Sequence, residues 1–179
     1  GEGGVMARNG AVRTVQGVVA LAGLALAGVA APGEIRAGEA SVKLEFVEVP
    51  GGYLKADFDK LAGFPYEVPA AGATKPLEGQ IPGPIRELDG RKVLVTGFML
   101  PVKLEGGLVK EFLLVSNPML CCYGVVPKIN EWVVVRMKGP GVKPLMDIPV
   151  EFFGVLRVKE TFEEGYLVSL YELEGERMG

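Results

Sequence analysis

The chain has 179 residues, 49% of them hydrophobic, with a formal net charge of −3. That length and apolar content suffice for one domain with a real core, and an acidic balance favours neither nucleic acid nor an anionic membrane surface as the main partner. Histidine is absent, which excludes Ser-His-Asp triads, Cys-His dyads, imidazole-bound zinc and histidine-ligated haem, and leaves acid–base work to carboxylates, lysine or tyrosine.

Residues 1–40 read as a leader and secretory signal peptide. Arg8 and Arg13 form a basic start, Val15 to Ala31 is apolar except for Gln16, and the small residues around Gly38 and Ala40 precede Ser41. This is the order of a secretory signal. The apolar run is short against the ~20 residues of a spanning helix, so any membrane attachment is expected only through an uncleaved signal. The expected location is the periplasm or cell envelope. These forty residues hold three basic and three acidic side chains, so the remainder is equally acidic.

The next segment, 41–84, is expected to be an N-terminal extension. "SVKLEFVEV" (41–49) alternates apolar and charged residues, as a half-buried strand does. "YLKADFDKLAGF" (53–64) places Leu54, Phe58 and Leu61 on one helical face. Residues 65–84 are rich in proline and glycine and read as an ordered, irregular linker. A turn of helix is expected at 85–88, and Asp89-Gly90 is a turn pair.

Five strands then follow in 85–179. They are "KVLVTGFML" (92–100), "VKEFLLVS" (109–116), "EWVVVRM" (131–137), "VEFFGVLRV" (150–158) and "YLVSLYEL" (166–173). Gly106-Gly107 marks a hairpin between the first two. Gly97 and Gly154, inside the first and fourth, predict a bulge or strong bend. Phe98, Phe112, Trp132, Phe152 and Phe153 are core candidates. The expected class is all-β: a small five-stranded OB-like barrel with an N-terminal strand and irregular extension. A plain antiparallel sandwich is the alternative.

The loop between the second and third strands, "NPMLCCYGVVPKINEW" (117–132), holds the only cysteines, the adjacent pair Cys121 and Cys122. Three readings stand side by side. A vicinal disulfide would be strained and easily reduced, and it would close no useful loop. Two thiolates lack the further ligands zinc needs, whereas a soft Cu(I)-type ion suits thiolates with Met119 nearby. Alternatively, both thiols fill a packed loop as small apolar residues. No C-x-x-C spacing is present, so that redox motif does not apply. Tyr123 and Gly124 predict a turn, Pro127 a rigid point and Asn130 a side-chain cap.

Three stretches carry a family likeness: "LDGRKVLVTGFMLPV", "EFLLVSNPMLCCYGVVPKINEWVVVRM" and "PVEFFGVLRVKETFEEGYLVSLYELEGERM". In this order they resemble an uncharacterised bacterial exported-protein family, a domain of unknown function. The likeness runs from about Ile85 to Arg177. The family pattern has a strand ending in FLLV, a Cys-x-His, a proline-rich loop and an Asn. By position, Cys121 and Asn130 match it, Tyr123 stands where the family has histidine, and Pro127 remains of the proline run. The chain is similar to a Cys-Cys, planctomycete-like branch. The resemblance implies an accessory or binding role near envelope transport or metal handling.

These readings together predict an exported, non-enzymatic binding module with no catalytic residues. It would meet an envelope protein or small ligand through Tyr123, Gly124, Pro127 and Asn130. The competing expectation is a thiol-dependent soft-metal or redox site at Cys121, Cys122 and Met119. A soft metal ion is the one cofactor this chemistry suggests; neither haem nor a nucleotide is expected, and nucleic acid is not an expected partner.

Overall fold

The computed structural model describes residues 44–119 and 126–179. The expected signal segment lies outside the described residues, as do residues 41–43 of the expected first strand. Ser41–Gly179 forms one compact unit. Its elements are β1 (Glu48–Val49), β2 (Tyr53–Lys55), α1 (Phe58–Leu61), α2 (Gly83–Arg86), β3 (Lys92–Glu105), β4 (Leu108–Val115), β5 (Trp132–Met137), β6 (Pro149–Glu163) and β7 (Tyr166–Met178). Among the described residues no helix is long and apolar enough to cross a membrane.

The protein is mostly β. Its strands form one seven-stranded sheet in the order β1-β2-β3-β4-β5-β7-β6, with β3 also paired to β6. That extra pairing bends part of the sheet into a partial ring of β3 to β7. The β5–β7 contact is parallel, whereas β3–β4, β4–β5, β6–β7 and β3–β6 are antiparallel. Beyond the five strands expected in 85–179 and the one expected at 41–49, of which Glu48–Val49 forms β1, the sheet gains one short strand, β2.

Strand β3 holds the arrangement together because it serves two partners in turn. Residues 92–98 pair with β6 and residues 98–105 with β4, so Phe98 alone faces both Val115 and Pro149. Gly97 sits at this handover. A Cβ there would lie 2.7 Å from the Val115 carbonyl oxygen and 2.9 Å from Leu114 Cγ, distances no side chain tolerates. Gly154 plays the matching part on β6. The β6–β7 register shifts between Phe153 and Gly154, and a Cβ at 154 would run into the Glu174 carbonyl. Both glycines therefore occupy the close approaches that a curved sheet requires.

Apolar alternation sends Val93, Val95, Met99, Phe112, Leu114, Val133, Val135, Phe152, Leu156 and Leu173 into one buried cluster. The Phe112 and Phe152 rings meet at 4.6 Å between centroids. Fully burying a side chain of this size contributes about 1.5–3 kcal/mol, so this cluster dominates the stability of the sheet. Phe153 faces the other way: Tyr53 meets it edge-on at 5.0 Å, and the Arg177 guanidinium stacks on it at 3.5 Å.

The extension differs from its predicted form. The helix expected over 53–64 is confined to Phe58–Leu61, and Tyr53–Lys55 instead adds a parallel strand against Val93 and Leu94. Pairing here covers the outer side of β3, where Leu94 is 5% exposed. Helix α1 begins only after Asp57, which stands at its N-cap. Phe58 and Leu61, with Ile81, Ile85 and Leu88, enter the same core as the strands. Strands β6 and β7 also run further than expected. Residues 159–163 continue β6, and the turn narrows to Glu164-Gly165, both with positive φ as a tight hairpin demands.

Candidate functional site

Strands β4 and β5 end side by side, with Val115 opposite Trp132, so the residues between them must leave and re-enter the sheet at one point. Several bonds close that base. The Ser116 N–H donates to the Glu131 carbonyl at 3.1 Å. The Asn117 Oδ1 accepts the Met119 N–H at 2.9 Å, an Asx turn that directs the chain outward. On the returning side, the Lys128 N–H donates to Glu131 Oε2 at 2.7 Å, and the Glu131 N–H donates back to the Lys128 carbonyl at 2.9 Å. Trp132 Nε1 donates to the Val168 carbonyl at 3.2 Å. Trp132 is half-buried against the core rather than enclosed in it.

Asn130 does something other than the local cap its position predicts. It is 1% exposed, and its Nδ2 donates to the Phe64 carbonyl, 66 residues away in sequence, at 2.8 Å. A neighbouring carbonyl of the same segment, that of Leu61, accepts the Tyr171 hydroxyl at 2.7 Å. Two side chains of the ring region thus grip residues 57–66, a strap made of α1 and the turn after it. Burial pushes the Tyr171 phenol well above its ordinary pKa. Tyr66, at the end of the strap, is pushed up to about 12, mainly by burial and further by Glu160, against a smaller opposing effect of Arg86.

Of the residues singled out in the sequence, Met119, Pro127 and Asn130 are described. Cys121, Cys122, Tyr123 and Gly124 lie outside the described residues. Asn130 is buried at the base of the loop, whereas Met119 is 49% exposed and Val126, on the other flank, 87%. Among the described residues no group of three or more Cys, Asp or Glu side chains is disposed to hold a metal ion. Phe64, Tyr66 and Ser169 belong to this region too, and no periodicity marks them. The one available signal is the aromatic pair Phe64 and Tyr66 flanking Pro65 in a stretch rich in proline, glycine and alanine.

The outer face of β4, β5, β7 and β6 carries the opposite chemistry. Arg136 bonds Glu172 at 2.8 Å and approaches Glu111 at 3.4 Å. Lys138 and Arg157 reach Glu174 at 2.9 and 3.0 Å. Thr161 donates to Glu172 at 2.8 Å, and Lys159 stands 3.4 Å from it. Positive and negative groups are interleaved, so this face presents no single-sign field.

With this geometry in view, the family model described as "Protein of unknown function (DUF3299)" matches residues 80–178. The chain belongs to this family. A similar solved structure is that of a DUF3299 family protein from Pseudomonas aeruginosa PAO1. It is 24% identical, the match covers 72% of this chain and 95% of that one, and the TM-score is 0.49. No curated protein matches the chain. The DUF3299 match spans α2 and β3 to β7, and the strap precedes it. In this DUF3299 protein, Asn130 and Tyr171 therefore reach from the matched region to carbonyls outside it.

Proposed function

We propose that the chain is an exported, non-enzymatic binding module. It presents the β4–β5 loop to an envelope protein, in the service of envelope transport or metal handling. The observation that carries this reading is the contrast within the loop. Its base is fixed by the Ser116–Glu131, Lys128–Glu131 and Asn130–Phe64 bonds, while Met119 and Val126 project outward. A fixed base reduces the ordering that association must overcome, and exposed apolar side chains supply the contact. The order β3-β4-β5-β7-β6 with a return to β3 supports reading this part as a five-stranded OB-like barrel. On such a barrel the loop would join the second and third strands.

Nucleic acid is not the partner in this reading. Arg136, Lys138, Arg157 and Lys159 are already engaged by Glu111, Glu172 and Glu174, and a phosphate backbone needs cations free to replace its counterions. The thiol-dependent alternative uses the same loop. There, the exposed Met119, whose backbone N–H bonds Asn117, would join Cys121 and Cys122 around a soft ion.

One experiment separates the two. Residues 118–127 are replaced by a Gly/Ser linker, and the fold is checked by circular dichroism. Pull-downs from a solubilised envelope fraction are then compared with those of the Cys121→Ser/Cys122→Ser variant. The binding-module reading expects the exchange to remove a specific partner that the serine variant keeps. Capture of that partner unaltered by the loop exchange sinks it. Loss of bound copper in the serine variant, measured with thiol alkylation by mass spectrometry, would favour the metal reading.

A further inference from the structure

Four buried side-chain atoms among the described residues have no hydrogen-bond partner: Asp57 Oδ1, Tyr66 Oη, Asn130 Oδ1 and Ser169 Oγ. Each belongs to the strap or lies within two residues of a side chain bonded to it. Asp57 and Tyr66 are the two ends of the strap. Asn130 donates to the strap at Phe64, and Ser169 lies two residues along β7 from Tyr171, which donates to the strap at Leu61. Buried polar groups are normally satisfied, so the clustering of the exceptions is informative.

We propose that the strap, residues 57–66, is a latch that undocks as a unit while β3 to β7 stay paired, and that Asn130 ties its undocking to the base of the β4–β5 loop. Docking buries Phe58 and Leu61, which favours the closed state. It also leaves these four polar atoms without a protein partner, at Asp57 beside an oxygen that meets Lys55 at 3.2 Å, which offsets part of that gain. The backbone supports the same division. Ala56 is fixed to Leu94 at 2.9 Å on one side of the strap, and Gly72 to Gly165 at 2.9 Å beyond the other. The backbone–backbone bonds described for 57–66 stay within it, at Lys60, Leu61, Ala62 and Gly63. A four-residue helix does not persist in water by itself. The Leu61 and Ala62 amides therefore report whether the strap is docked.

Hydrogen exchange on the full chain tests this, with Val133 and Val135 as reporters of the sheet. In the wild type, Leu61 and Ala62 should exchange at least about tenfold faster than the two valines, as a sub-global opening does. Tyr66→Phe and Ser169→Ala remove unpartnered hydroxyls, and each should slow Leu61 and Ala62 by about fivefold while leaving the valines unchanged. Asn130→Asp removes the donor to Phe64 and should speed the exchange of Leu61, Ala62 and Glu131 together. Strap amides that exchange at the valine rate overturn the latch. So do hydroxyl deletions that leave the strap unchanged or faster, because the hydroxyls would then not oppose docking. A response of the strap without Glu131 overturns the tie to the loop. Should Asn130→Asp fail to fold, the two hydroxyl variants still decide the latch.

Discussion

The outer charged face and the underside of the strap are both polar contacts of the same sheet, and they behave in opposite ways. On the outer face, Glu172 alone meets Arg136, Lys159 and Thr161, and Glu174 meets Lys138 and Arg157. Such ion pairs at the surface contribute little, because water serves the same charges nearly as well. Under the strap there are two side-chain bonds, to Leu61 and Phe64, and four atoms with none. For the fully buried Asn130 and Ser169, an unsatisfied atom costs about 1–3 kcal/mol, because water does not reach it. The region with more visible bonds is therefore the less decisive one. Position in or out of solvent, rather than number, determines which polar contacts govern opening.

The largest expected effect breaks both regions at once. Phe112 is 0% exposed and meets Phe152 at the centre of the core. Phe112→Ala should cost about 3–5 kcal/mol through lost burial and the cavity left behind. In urea the midpoint should fall with the slope unchanged, and sheet and strap amides should lose protection together. A midpoint within experimental error of the wild type would show that this ring contact does not hold the sheet.

A smaller effect should separate the two regions. Tyr171→Phe keeps the ring but leaves the Leu61 carbonyl unpaired beside a residue that is 0% exposed. The cost should be about 1–3 kcal/mol, concentrated in the exchange of Leu61 and Ala62 rather than in β4 and β5. A cost indistinguishable from zero would mean that water reaches Leu61 and that the strap does not seal this end.

How far these features were legible in the sequence follows from the range of the forces involved. Alternation along β3 to β7 is a local pattern, so all five strands were visible, as were the glycines at 97 and 154. The order of motifs from about Ile85 to Arg177 also pointed to a family of unknown function, and the DUF3299 match over residues 80–178 agrees. The pairing of Tyr53–Lys55 with Val93 and Leu94 was not visible, because it depends on an open edge of β3 far along the chain. A helical reading of 53–64 used correct apolar spacing, but tertiary pairing overrode it at Leu54. Asn130 was picked out by its place in the loop. Its actual bond, to Phe64 across 66 residues, has no local signature.

The smallest effect is a matter of pH and returns to the charged face. Burial raises the pKa of Glu172, but the Thr161 hydroxyl, Lys159 and Arg136 outweigh it and hold the carboxyl below its ordinary value of 4.5. Lys138 and Arg157 hold Glu174 below its ordinary value as well. A carboxyl whose pKa is lower in the folded state binds its proton first in the unfolded chain. Its contribution is therefore complete above the ordinary value and is lost as pH falls from there through the folded-state value. Glu172→Gln should cost no more than about 1 kcal/mol near neutral pH. It should also flatten the acid limb of the stability curve, so that variant and wild type converge as acidity increases. Urea midpoints taken at steps from about pH 7 to about pH 3 measure this directly. Parallel curves across that window would show that Glu172 titrates alike in both states. The outer lattice would then be neutral to folding, and its contrast with the strap complete.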